Sequence, residues 1–181
     1  MTFTIIAVLL LIVANVLLVK LLLGAVQHPA NLVELLDHLK PVNAASFRHL
    51  ASYADDHYLR ANLPRRQYVR LKRLRLRAVH AYYLSALRNS SLVLAYGEVL
   101  AGSQHSSFVK FGSELRSAAM ELRMALLRGL FVIWLCYFIN REVPSWRHIT
   151  DLYNQVGSRL SYFCESNFPD LEHSVVEHFW Y

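Results

Sequence analysis

Arg66, Arg70, Arg73 and Arg77 are spaced four, three and four residues apart. On an α-helix that spacing makes one row, because residues three and four apart are surface neighbours. They belong to the run Arg65 to Arg77, in which Lys72 and Arg75 are expected to widen the row and Leu71, Leu74, Ala78 and Tyr82 to lie beside it. The chemistry open to such a row is anion binding. A basic amphipathic helix reads as a membrane-surface element or as the docking site of an acidic partner. Near an anionic leaflet each basic residue contributes about 1 kcal/mol, screened by salt. Nucleic acid phosphates reward the same residues, but no nucleic-acid-binding motif accompanies the row, so lipid headgroups and protein partners rank ahead of nucleic acid.

Other constellations point to less. Nine histidines raise the question of a metal. Glu34 and His38 are four residues apart, as are His173 and Glu177, and Asp55-Asp56-His57 is a local cluster. A di-iron bundle needs Glu-x-x-His on two helices, and no Glu-x-x-His occurs. His-Glu-x-x-His and Cys-x-x-Cys-His are absent too, so neither a zinc protease nor a c-type haem attachment is indicated. No Gly-x-Ser-x-Gly elbow is present, and the six glycines are too scattered for a phosphate-cradling loop. No catalytic residue, metal or cofactor is therefore expected. His28, beside Pro29, is the one place where a quinone or haem contact would make geometric sense. Cys136 and Cys164 stand alone and read as buried thiols.

The elements that must position these residues begin with an apolar run. From Phe3 to Val19 only Thr4 and Asn15 are polar, and Leu21 to Val26 follow the single charge of Lys20. About 20 apolar residues span a hydrocarbon core. No basic residue precedes the run and no small-residue cleavage site follows, which argues for a retained anchor over a cleaved signal. Residues 1–28 are thus expected to be a single transmembrane helix. Asn15, in mid-span, is placed to hydrogen-bond a neighbouring membrane helix. Basic residues cluster after the span, so the amino terminus is expected outside and the body on the cytoplasmic or matrix-like side of a bacterial or organellar inner membrane.

Residues 29–181 are expected to form one all-α domain. Short amphipathic helices are expected over Asn31 to Lys40 and over Ala44 to Asn62, the second entered through Asn43 and turning Phe47, Leu50, Ala54 and Tyr58 inward. Arg65 to Ala101 contains no proline and reads as one long helix, the small polar stretch Gly102 to Ser107 as a turn, and Phe108 to Arg141 as a second long helix. Two long helices joined by a short turn fold back as an antiparallel hairpin, here spanning 65–141. Helices over 145–181 complete the bundle. On the second long helix Ala118, Ala125, Gly129 and Cys136 share a face small enough for close helix packing. Met124 to Ile139 is apolar except for Arg128, and reads as buried or membrane-apposed rather than as a second span.

The net charge is +6, unevenly spread: residues 65–88 hold eight Lys or Arg and no acid, while 142–181 sum to −4. Phe179, Trp180 and Tyr181 end the chain as an interface-prone aromatic cluster. These features are contact devices. The expected function is that of a non-catalytic accessory subunit of a larger membrane complex, with other membrane subunits and anionic headgroups as partners. The alternatives are a membrane-anchored haem-, metal- or quinone-binding electron carrier, and a regulator that reads anionic lipid or nucleic acid.

Overall fold

Prolines and a glycine turn divide the body. The structure, a computed structural model, describes residues 29–42, 47, 52–139 and 147–169, and every regular element among them is helical. In chain order these are α1 (Leu32–His38), α2 (Tyr53–Asn62), α3 (Arg65–Ala101), α4 (Ser106–Ile139) and α5 (Arg147–Asn167). The expected anchor over 1–28, Asn15 within it, and the aromatic end Phe179, Trp180 and Tyr181 lie outside the described residues. Among the described residues no helix is long and apolar enough to cross a membrane, α4 included.

α3 has the bounds its sequence predicts. Pro64 precedes it in an extended conformation (φ −56°, ψ 141°), and Gly102 closes it, donating its N–H to Glu98 and Val99. Its 37 residues run about 55 Å at 1.5 Å per residue. The turn is shorter than expected: α4 begins at Ser106, where the His105 carbonyl already accepts from Phe108 and Val109. Serines are tolerated in a first helical turn because their hydroxyls satisfy local backbone groups.

α3 and α4 form an antiparallel hairpin whose two glycine contacts set the spacing. Near the turn, a Cβ on Gly112 would sit 2.6 Å from the Ala101 nitrogen and 2.8 Å from the Gly97 oxygen, so the two backbones meet there without a side chain between them. Further along, a Cβ on Gly129 would overlap the ring of Tyr83. The helices therefore diverge from a backbone contact at the turn to a ring's width at Gly129. Between these points Leu87, Val93, Leu115, Ala119, Leu122 and Leu126 fill the seam, each nearly inaccessible. Burying a Leu or Val side chain contributes about 1.5–3 kcal/mol.

α5 returns along α4. At the turn end the Phe163 ring stacks on Phe111 (4.0 Å between centroids, 4° between planes) and meets Phe108 edge-on. Arg159 donates to the Glu114 carbonyl at 3.2 Å. α1 packs on α3 through Leu32, Leu35 and Leu36, which with Leu39 just beyond its end form the face the sequence indicates. Asn31 caps α1, accepting from the Glu34 N–H at 2.8 Å.

The helix expected over 44–62 is corrected. Asn43 and Leu50 lie outside the described residues, Phe47 is helical and buried, and the chain is extended at Ser52 (φ −67°, ψ 122°). Ser52 is itself the cap of α2, accepting from the Asp55 N–H. Ala54 and Tyr58 face outward, Tyr58 being 67% exposed, while Asp56 of the same helix is buried. The apolar spacing is continuous across Ser52, but its extended backbone and the side chain that satisfies the orphan Asp55 N–H start a helix at Tyr53.

Candidate functional site

Arg66, Arg70, Arg73 and Arg77 lie exposed along one row of α3. The row runs on at the same spacing through His80, Leu84 and Arg88, all exposed, before Ser91 and Ala95 on the same line become buried. From Arg66 to Arg88 it measures about 33 Å. No hydrogen bond or ion pair engages Arg66, Arg70, Arg73, Arg77 or Arg88 among the described residues. Leu74, 51% exposed, flanks the arginines as expected.

Lys72 and Arg75 do not belong to that row. Lys72 is only 4% exposed, with its ammonium 5.8 Å from the centre of the Tyr68 ring. Six residues from Arg66 is about 240° around a helix, so Lys72 sits on the core-facing row with Tyr68, Leu76 and Val79. Arg75 ties α2 to α3: its guanidinium donates to the Ser52 carbonyl at 3.2 Å and lies 3.7 Å from Asp56. Tyr68 donates to the other Asp56 oxygen at 3.1 Å. One carboxylate thus collects the two polar side chains that face it, which is why Asp56 is tolerated inside. Of the basic residues between 65 and 77, those on the outer row remain for a partner and these two serve the fold.

A polar junction that the sequence reading did not single out lies at mid-hairpin. Asn89, 1% exposed, accepts from the Lys40 N–H at 3.0 Å and donates to the Lys40 carbonyl at 2.7 Å and to the Tyr153 hydroxyl at 3.0 Å. It joins the segment after α1 to α3 and α5 through one amide. Its only sequence signal is an asparagine in the middle of a long helix, where that residue type is unfavourable without a tertiary reason.

Among the described residues Tyr83, Tyr96 and Tyr153 are nearly inaccessible, and none belongs to the arginine row. Burial pushes the phenols of Tyr96 and Tyr153 up from 10.0 to about 12. Burial raises Tyr83 as well. The unfolded chain releases these protons near pH 10 and the folded chain holds them, so their contribution is fully present below pH 10 and is lost as pH rises from 10 toward 12. The expected loss is up to about 1.4 kcal/mol per pH unit for each such phenol. Tyrosinate absorbance in an alkaline titration should show these three ionising only with the loss of helical circular dichroism; ionisation of all ten before unfolding would contradict it.

The small face of α4 is used within the chain. Gly129 receives the Tyr83 ring, and Ala118 (buried) and Ala125 (half-buried) lie at seven-residue steps from Phe111. At Gly129 the close approach that its size allows is to α3. Cys136 and Cys164 are buried thiols.

Of the candidate ligand clusters, Glu34 and His38 are engaged locally, while His173 and Glu177 lie outside the described residues. His38 Nδ1 bonds the Glu34 carbonyl at 2.7 Å, and the Glu34 carboxylate accepts from the Ala30 N–H at 2.8 Å. Among the described residues no three His, Cys, Asp or Glu side chains gather to hold a metal. A small cleft opens between α3 and α5, walled by Phe47, Tyr82, Tyr83, Ile149 and Tyr153, and none of its walls carries a formal charge. Comparison with known protein families, with curated proteins and with solved structures found no match. The functional reading therefore rests on the chain's own chemistry.

Proposed function

We propose that this chain is a non-catalytic accessory subunit of a membrane protein complex, held at the bilayer by the apolar run Met1 to Val26 and docked through the outer row of α3 against anionic headgroups. The observation that carries the reading is the row itself: Arg66, Arg70, Arg73 and Arg77 stand exposed in line with no partner among the described residues. Guanidinium groups in a row cost solvation when buried and repel one another when left alone, so a surface that keeps four together suits a dense anionic ligand. A headgroup layer is such a ligand, flat and continuous over the length of the row.

The experiment is native electrophoresis after extraction in a mild neutral detergent, with the polypeptides of the band identified by mass spectrometry. Co-migration with other membrane polypeptides is expected. A band that contains this chain alone overturns the subunit assignment.

A further inference from the structure

α4 carries a second apolar surface that is largely exposed. Ser117, Met120, Met124, Leu127, Phe131 and Trp134 follow one another at spacings of three, four, three, four and three. That is the seam of a two-stranded coiled coil, with apolar residues repeating every 3.5 positions. Its large side chains are for the most part exposed. Met120 is 42% exposed, Met124 43%, Phe131 60% and Trp134 56%, with Leu127 half-buried and Ser117 exposed. Single exposed apolar residues are ordinary, but a contiguous line of large ones marks an interaction surface.

The face is complementary to itself in one orientation. Laid antiparallel on a second copy, its layers pair Ser117 with Trp134, Met120 with Phe131, and Met124 with Leu127, and the same three pairs recur in reverse. The largest side chain meets the smallest, and the middle layers are of similar bulk. Along one edge lie Glu121 and Arg128, both exposed, neither with a partner among the described residues. They are about 10 Å apart along the helix, too far to pair with each other. In the antiparallel register each Glu121 faces Arg128 of the second copy, twice, as an isologous contact requires. A parallel pair would not bring these charges together.

We infer that two copies of this chain associate through this face of α4, antiparallel about a two-fold axis. The axis stands normal to the plane of the two helices, so both copies turn the same flank to one side, as two chains inserted in one bilayer must. The inference does not depend on the arginine row, which lies on α3.

The test is the protein mass of the full-length chain in neutral detergent micelles, by light scattering with the detergent contribution separated. A mass twice the chain's 20.9 kDa is expected. Glu121→Arg and Arg128→Glu should each weaken the pair by about tenfold or more, since each places like charges opposite one another at two symmetric sites. The double variant Glu121→Arg/Arg128→Glu should recover the wild-type affinity, because the swap restores both contacts. Phe131→Ser should weaken the pair without lowering the helix content. A single-chain mass for the wild type, or a double variant no tighter than the singles, overturns the inference. So does a single-chain mass joined to a blue shift of tryptophan emission in vesicles, which would assign the face to lipid.

Discussion

Replacing Arg66, Arg70, Arg73 and Arg77 together by glutamine is expected to weaken binding to anionic membranes about a thousandfold. Each arginine near a negatively charged leaflet contributes about 1 kcal/mol, so four contribute about 4 kcal/mol, and every 1.4 kcal/mol is about a factor of ten. The residues are exposed and lie on the opposite side of α3 from its core row, so the fold should survive their loss. The measurement is co-flotation of full-length chain, carried in zwitterionic nanodiscs, with vesicles that contain phosphatidylserine, over a range of salt. Wild-type binding should fall steeply as salt rises, and the residual binding of the variant should depend on salt only weakly. Lys72→Gln is the informative contrast. With its ammonium buried over Tyr68 it reaches no headgroup, so this change should leave binding nearly as it was while costing stability. A quadruple variant that binds like the wild type would remove the arginine row as the docking surface.

Asn89→Ala is expected to lower the stability of the body by about 3–4 kcal/mol. Three hydrogen bonds go with the amide, at about 1 kcal/mol net each. The vacated space adds a smaller cavity cost, since the residue is 1% exposed. For a body of this size that corresponds to a fall in melting midpoint of about 10 °C. The readout is helical circular dichroism against temperature in neutral detergent. A shift below about 3 °C would mean that water replaces the lost bonds and that the junction is not a structural keystone. The position matters beyond stability. Lys40 closes the segment that follows α1, so Asn89 is where the chain arriving from the amino-terminal run is fastened to the hairpin.

The two effects come from opposite uses of polar side chains. The arginines have no partner among the described residues and stand on an outer row, where water can satisfy them. Asn89 and Asp56 are buried and hydrogen-bonded to side chains or backbone groups of other elements. A buried polar group without partners is costly, and an exposed one is not. That asymmetry separates the residues that hold this fold from those available for binding.

Much of the architecture was legible in the residues themselves. The long proline-free stretch from Arg65 to Ala101, the small polar turn after it and the hairpin follow from local preferences, because proline and glycine act on the backbone next to them whatever the tertiary context. The leucine face of α1 and the arginine row of α3 follow from spacing alone, for the same reason. What the residues could not convey was which neighbour each face would meet. Lys72 sits among arginines in sequence, yet the packing of α3 on the rest of the body turned it inward. Gly129 promised a close approach, and only the assembled hairpin showed that the Tyr83 ring makes use of it. Asn89 carried no motif at all, since its partners lie 49 and 64 residues away in the chain. Periodicity is a property of one helix and is written locally; the identity of the facing surface depends on contacts distant in sequence, and these exist only once the helices have packed.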